Sequence, residues 1–568
     1  MIASALRNSL KDGSLYKSLL QNSIAGIIVG IVALPLSMGL AIASGVPPQH
    51  GLYTAIIGGI FIALAGGSRV NISGPTAAFV VVLLPIVGQY GPGGLLISGL
   101  IAGFIMVGFG LLRLGRFIEV IPYPVIIGFT AGIGTVIAFI QLKDFLGLQP
   151  GTSGIHFLDK AGALVMALPT VRWQEAFIGI VTLAILILWK RINSRIPGYL
   201  VALVISGCIT AIFNYLDYLP HVDTIASRFS YEINGQTGFG IPPVAPHWLL
   251  PWKLPGPDGE PIGLSIELIR TLFGTAFAIA LLGALESLLC AVVADGMTGE
   301  QHNPDSEMIG QGLGNILVPF FGGIPVTAAI ARTALNVRSG GSTPAAGVIH
   351  GIFILIAMVF FAPVLSLVPM ASMAAILIMV AWNMSEARHA LHIVRNAPRS
   401  DATVFLTCFG LTVILDMQIA VATGVALAAI LFIQRMSELT NTGILKTPSH
   451  QHETARAKGV IIYDINGPLF FGAAHKALKV ILSVDRNVHT VILDMADVAL
   501  LDTTAMMNLE SIASTLAKRN TSLHLINVSS RIADKMRRYG LFKAEKGLHL
   551  DRDLDSVFQN LDIHTETH

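Results

Sequence analysis

Apolar residues fill blocks of roughly 15 to 25 positions along most of the chain, divided by short strings of Pro, Gly and charge, and blocks of that length suit helices that cross a bilayer. They fall at 24–46, 51–66, 75–90, 93–112, 119–141, 175–190, 197–214, 266–294, 309–321, 326–337, 343–369, 371–383, 401–416 and 418–434. The pattern predicts an α-helical polytopic membrane protein with about 14 transmembrane segments. The first block follows Arg7, Lys11 and Lys17, as a signal peptide's apolar region would. It is too long for one and too well followed by further spans.

After Arg435 the pattern changes. A polar stretch holding His450 and His452 leads to a charged region from Gly459 onward. The order there is strand (460–465), helix (473–483), strand (488–493), helix (504–518), strand (522–528) and helix (531–539), an alternation that predicts a small α/β domain. The expected organisation is an N-terminal cytoplasmic segment (1–21), a transmembrane domain (22–436), a linker (437–458), the α/β domain (459–562) and a tail (563–568).

Composition narrows the function classes. Of 568 residues, 53% are hydrophobic and 12% charged, against about 25% charged in soluble domains. The 36 basic and 34 acidic residues leave a net charge of +2, without the basic excess that a nucleic-acid partner requires. Cys208, Cys290 and Cys408 lie in apolar segments without metal-ligand spacing, and neither a metal nor another cofactor is expected. No Walker sequence, metalloprotease helix or nucleophile elbow is present, which argues against an ATP-driven pump and a membrane enzyme. Starting from a cytoplasmic N-terminus, Arg113, Arg116, Lys190, Arg191, Arg195, Arg388, Arg395, Arg399 and Arg435 all fall on the cytoplasmic side, as the positive-inside rule asks. The α/β domain is then cytoplasmic too. The opposite side holds the longest loop, 217–263, in which Trp248 and Trp252 are expected at the membrane interface.

Displacing the chain against itself by about 250 residues aligns two separated regions, as an internal repeat would and as chance would in an Ala- and Gly-rich chain. Ala33, Leu34, Ala43 and Gly45 match Ala284, Leu285, Ala294 and Gly296, and Thr76, Ala77 and Ala78 match Thr327, Ala328 and Ala329. Two halves, 22–216 and 265–436, with about seven spans each would be inverted relative to one another. Both contain an interrupted span: Ile72-Ser73-Gly74-Pro75-Thr76-Ala77-Ala78, and Gly322-Gly323-Ile324-Pro325-Val326-Thr327-Ala328-Ala329. Corresponding breaks of this kind point to a transport site, because each can start a half-helix inside the membrane. Two helix N-termini facing one another, with the Ser73, Thr76 and Thr327 hydroxyls as added donors, make an anion site. Two Pro-kinked packing helices would leave the same signature.

Glu286 interrupts an apolar run, Leu281 to Val293, and a charge at mid-bilayer costs about 2.5 to 3.5 kcal/mol on insertion scales. It is the candidate proton-coupling carboxyl, the alternative being a bond to a neighbouring helix. Arg332 lies on the second half-helix, where it either adds positive potential for an anion or packs as a snorkelling side chain. Gly310, Gly312 and Gly314 have the wrong spacing for a nucleotide loop and suit close helix packing. His389 and His392 read as an interfacial polar face.

The strings SGPTAAFVV (Ser73 to Val81), PPQHGLYTA (Pro47 to Ala55), ALESLLCAVVADGMTG (Ala284 to Gly299) and GGIPVTAAIARTALN (Gly322 to Asn336) resemble the sulfate permease family, relatives of the solute carrier 26 anion transporters. The tail resembles that family's STAS domain, with Leu501-Asp502-Thr503-Thr504-Ala505 at its Asp-Ser/Thr-Ser/Thr motif. Within the family, GGSR (Gly66 to Arg69), GQGLGN (Gly310 to Asn315) and MVAWNMSEA (Met379 to Ala387) look closest to enterobacterial C4-dicarboxylate transporters. The resemblance implies core and gate domains built from two inverted seven-span repeats, a homodimer in the bacterial inner membrane, and succinate, fumarate or aspartate as cargo. It places substrate at Ser73, Gly74, Thr76, Ala77, Ala78, Val326, Thr327, Ala328, Ala329 and Arg332, with Glu286 as the acidic position of span 8. Sodium-coupled bicarbonate members carry a Thr one helical turn beyond that acid, where this chain has Cys290, which favours protons. In the STAS-like tail Thr503 and Thr504 are candidate phosphorylation sites or simple helix caps, and acyl carrier protein is a candidate partner by resemblance alone. The expectation is a secondary active transporter coupling small-anion uptake to protons. The alternatives are a sulfate or bicarbonate transporter, or an anion exchanger or channel, of the same fold; a membrane sensor would have no use for paired, broken helices.

Overall fold

The computed structural model describes residues 2–115, 122–151, 157–189, 191–192, 197–216, 221–233, 235–415, 417–439, 441–444, 459–471, 474, 481, 487–542 and 547–565. Arg116, Lys190, Arg195, most of the linker and most of the expected 473–483 helix lie outside the described residues. The chain divides into two compact units, Met1–Val425 and Ala426–His568.

The apolar blocks become helices because lipid offers no hydrogen-bond partner, so each backbone must satisfy itself internally. They are α1 (Leu19–Ala43), α2 (Pro48–Ala65), α3 (Ala77–Leu111), α4 (Tyr123–Leu146), α5 (Trp173–Trp189), α6 (Gly198–Tyr215), α7 (Ile266–Thr298), α8 (Pro304–Leu317), α9 (Ile330–Arg338), α10 (Ala345–Ser366), α11 (Met370–Met384), α12 (Arg399–Ile414) and α13 (Met417–Leu439). Among the described residues nine helical stretches are long and apolar enough to cross a membrane. The 75–90 and 93–112 blocks meet in α3 at Gly91, whose φ of 67° breaks the helix. A Cβ there would sit 2.7 Å from the Pro255 carbonyl oxygen, so conformation and space both require glycine. Inside α2 a π-helical turn, Thr54–Gly58, widens the helix beside the broken strings, and such turns gather at functional sites.

Two helix groups share the first unit. α1, α2, α3, α7, α8, α9 and α10 pack together, with α3 between α7 and α8 and α1 against α10. α4 packs against α11 and α12, and α5 against α6 and α11. α13 joins this second group where Cys408 Sγ donates to the Ala420 carbonyl, 3.2 Å away. The groups touch through α1 with α11 and α3 with α4. The long loop carries a hairpin, β2 (Ser230–Ile233) with β3 (Gln236–Phe239). Trp248 stacks on Phe320 at 4.8 Å, with Trp252 edge-on to the same ring.

The second unit builds a five-stranded sheet from β5 (Asn441–Ile444), β6 (Val460–Asn466), β7 (Thr490–Asp494), β8 (Ser522–Ile526) and β9 (Leu548–Leu550) in that spatial order. β5 is antiparallel to β6, and the rest run parallel. Alternation along β6 sends Tyr463 and Ile465 into a core shared with α14 (Thr503–Ala517) and α15 (Ser530–Tyr539), and Val460 and Ile462 to the opposite face with Val557 of α16 (Leu554–Thr565), as the two-residue period of a strand dictates. β5, β9 and α16 are additions to the elements expected from sequence.

Candidate anion site

The two broken strings meet. Ser73–Gly74 (β1) and Thr327–Ala328 (β4) pair antiparallel, Ser73 opposite Ala328 and Gly74 opposite Thr327. The Ala329 N–H extends the pairing to the Ile72 carbonyl at 3.0 Å. Helices α3 and α9 start from this bridge, with Thr76 and Ala329 as extended N-cap residues whose side chains cap nothing. First-turn N–H groups have no intrahelical partner. Those of α3, Ala77 and Ala78 included, and those of α9, Ile330 to Arg332, therefore bring the positive poles of the two helices near one another.

Glu286 reaches this place from α7. The Thr76 hydroxyl donates to its Oε2 at 2.9 Å, which sets the carboxyl beside the α3 N-terminus. Thr76 is buried, and Glu286 is half-buried. One residue on, Ser287 serves the other string: its Oγ accepts from the Ala328 N–H at 3.2 Å and lies 2.6 Å from Thr327 Oγ1. The Thr327 hydroxyl itself donates to the Gly283 carbonyl at 3.1 Å, so the proton at the short contact belongs to Ser287. The N–H groups of Val326, Ala328 and Ala329 are engaged by Asn315 Oδ1, Ser287 and Ile72. With the Thr327 proton also engaged, the candidate donors on this side move to the first turn of α9. Ser73 Oγ accepts from Gln311 Nε2 at 3.0 Å, which leaves its own proton free.

Arg332 is 3% exposed and crosses from α9 to the first string, where Nη2 donates to the Pro75 carbonyl. Its Nη1, also buried, has no hydrogen-bond partner. A Cβ on Gly74 would collide with Nη1, so the guanidinium's place depends on that glycine. Cys290, one turn beyond Glu286, donates to Thr333 Oγ1 at 3.2 Å. Among the described residues no cluster of His, Cys, Asp and Glu could hold a metal ion.

The sequence-predicted residues Ser73, Gly74, Thr76, Ala77, Ala78, Val326, Thr327, Ala328, Ala329, Arg332 and Glu286 are thus brought to one place. Sequence reading passes over Ser287 and over Glu307, Gln311 and Asn315 of α8. Three polar residues four apart on one helix are the signal that marks the latter. The GQGLGN glycines that share this helix serve close packing: a Cβ on Gly312 would lie 2.8 Å from the Gly103 carbonyl oxygen.

In the second unit, Thr503 and Thr504 are exposed at the start of α14. They do not cap it. Asp502 does, through Oδ1 accepting from the Ala505 N–H at 2.8 Å, while its Oδ2 accepts from the Phe471 N–H at 2.8 Å. A carboxylate suits an N-cap as well as a hydroxyl does, and it takes the position one residue earlier.

Comparison with known proteins supports the same reading. Residues 19–408 match the sulfate permease family model and residues 451–557 the STAS domain model. The chain is 40% identical over 521 residues to a Bacillus subtilis protein named "Putative sulfate transporter YvdB", covering 91% of this chain and 93% of that one. It is 28% identical to the bicarbonate transporter BicA of Picosynechococcus sp. over 557 residues, 93% of this chain and 92% of that one. Its fold matches the murine solute carrier 26 member A9 anion transporter in the inward-facing state with a TM-score of 0.80 at 18% identity, covering 96% and 91% of the two chains. Family model and full-length relatives agree: this chain belongs to the sulfate permease family, as a multi-pass membrane anion transporter with a C-terminal STAS domain.

Proposed function

We propose that the chain is a secondary active transporter that carries a small anion together with protons, the anion held between the N-termini of α3 and α9 and the proton carried by Glu286. The observation behind this reading is the Thr76 hydroxyl at 2.9 Å from Glu286. A charged carboxylate at that place occupies the positive field an incoming anion would use. A proton on Glu286 removes the competition, so anion and proton bind better together than apart. Arg332 supplies fixed positive charge beside the same string, and Cys290 in place of a hydroxyl takes away one hard oxygen ligand for sodium.

Backbone N–H donors hold sulfate, bicarbonate and carboxylates alike. The names of the compared relatives favour sulfate or bicarbonate as cargo. C4-dicarboxylate import is the second reading, supported by the GGSR, GQGLGN and MVAWNMSEA strings. Transport would proceed by movement of the α1–α3 and α7–α10 group against the α4–α6 and α11–α13 group, in a homodimer in the bacterial inner membrane with the STAS domain in the cytoplasm. Exposed Thr503 and Thr504 at a helix start are its proposed phosphate acceptors, with acyl carrier protein a candidate partner.

Uptake of labelled sulfate, bicarbonate and succinate into proteoliposomes, with an imposed inward proton gradient and with or without sodium, tests this. Accumulation that needs the gradient and ignores sodium is expected. Equal rates with the gradient collapsed would make the protein an exchanger or channel.

A further inference from the structure

Helix α8 carries a buried polar stripe that the transport reading leaves unused. Glu307, Gln311 and Asn315 stand four residues apart, each no more than 1% exposed, and that spacing puts them on one face along roughly 12 Å of helix. Glu307 Oε2 accepts from the backbone N–H groups of Gly67 and Ser68 at 2.8 and 3.0 Å. Its Oε1 accepts from Asn71 Nδ2 and Gln311 Nε2, both at 3.0 Å. Gln311 Nε2 also reaches Ser73 Oγ at 3.0 Å. Asn315 Oδ1 accepts from the Val326 N–H at 3.0 Å, while its Nδ2 donates to the Val326 carbonyl at 2.7 Å and to the Gln311 carbonyl at 2.9 Å.

From these contacts we infer that Glu307, Gln311 and Asn315 are positioning residues that set the register of the two broken strings and thereby the affinity of the anion site. This rests on the transport reading above. Glu307 and Gln311 hold the segment that leads into the first string, Gly67 to Ser73, and Asn315 holds the second string at Val326. The strings come from different repeats, and the stripe fixes both to one helix. The residue types follow from the demand at each position. Four donors converge on residue 307, and only an acceptor-only group satisfies them all; a glutamine there would turn its own NH2 toward two of them. The bond pair at Val326 needs one donor and one acceptor side by side, which a carboxamide supplies and a carboxylate does not. Both ends of the stripe are fully bonded, Glu307 through its two oxygens and Asn315 through its oxygen and nitrogen, which fixes their geometry, while Gln311 binds through Nε2 alone and its buried Oε1 has no hydrogen-bond partner.

The test uses full-length protein carrying Glu307→Gln, Gln311→Met or Asn315→Asp, each first shown to run as the wild type does in size-exclusion chromatography. Hydrogen exchange followed by mass spectrometry reads the strings directly. Glu307→Gln is expected to speed exchange about tenfold at Gly67 and Ser68, the size of one lost hydrogen bond, and Asn315→Asp to speed it at Val326, because a carboxylate oxygen there would face the Val326 carbonyl that Nδ2 now holds and push the string away. Uptake of whichever anion the wild type transports should show KM raised about tenfold with Vmax within about twofold, the mark of lost binding rather than lost turnover. A cycle with Ser73→Ala separates positioning from bulk destabilisation: because Gln311 reaches the string at Ser73 as well as through Glu307, the double variant should have a KM well below the product of the two single effects. Unchanged exchange at the strings, unchanged KM in the folded variants, or KM effects that multiply in the cycle would each overturn the inference. Asn315→Asp, which keeps its shape and one bond, preserves the test should the other variants fail to fold. Wild-type protein that takes up no sulfate, bicarbonate or succinate would remove the transport reading, while the exchange comparison would still judge the stripe.

Discussion

Thr76 and Glu286 lie 210 positions apart in the chain and meet at 2.9 Å, so the residue that starts one half-helix holds the carboxyl that faces its positive end. The hydroxyl donates to the carboxylate, and the same pair survives protonation with the carboxyl as donor or acceptor. The contact therefore persists while the charge beside the α3 N-terminus changes.

Glu286→Gln keeps an oxygen for the Thr76 hydroxyl and discards the titratable group. Gradient-driven uptake should fall to the rate seen without a gradient, while counterflow of the anion continues. Uptake that still follows the imposed gradient would remove Glu286 from the coupling.

Gly74→Ala should weaken anion binding about tenfold, on the order of one charge-assisted hydrogen bond, because its Cβ displaces the Arg332 guanidinium from the Pro75 carbonyl. Equilibrium binding to detergent-solubilised protein measures this directly. An unchanged Kd would show that the guanidinium's place has no bearing on the anion.

Asp502→Ala removes both the α14 cap and the bond to the Phe471 N–H. A lost N-cap costs about 0.5 to 2 kcal/mol. Faster amide exchange across residues 503–517 of the full-length protein is the expected outcome, and wild-type protection there would contradict it.

The STAS domain should also lose stability in mild acid. Partial burial, and then the stacked His524 ring 4.8 Å away, hold His549 below its ordinary value. Such a group binds fewer protons folded than unfolded. The stability it contributes is present above the unfolded value of about 6.5 and is lost as pH falls from there through the lower folded value. His549 is exposed enough that the effect is small. Denaturation midpoints between about pH 7.5 and 5.5 should converge in His549→Gln, and an equal pH dependence in both proteins would exclude this histidine as the source.

The half-helix starts and Glu286 were legible in the sequence because Pro and Gly punctuate a span and a lone carboxyl stands out in an apolar run. Their pairing was not, since nothing local in Ser73–Gly74 encodes an antiparallel partner about 250 residues away. Glu307 escaped notice because an acidic residue in the first turn of a helix ordinarily faces water. The same limit applies in the tail: β5 and β9 are four and three residues long, too short for alternation to declare them. Asp502 took the cap that Thr503 and Thr504 also suited, one position being all that separates them.

The bridge between β1 and β4 also bears on synthesis. The Ile72 carbonyl finds the Ala329 N–H, and Ser73 finds Gln311, only after residues 311 and 329 have left the ribosome. At about 5 to 20 residues per second, the first string waits some tens of seconds in the translocon or the lipid with polar groups unmatched. Ribosomes stalled before Asn315 should therefore yield nascent chains whose first repeat is inserted but still open to protease near Gly74. The bridge takes residues from both halves of the membrane domain, so neither half can complete it alone.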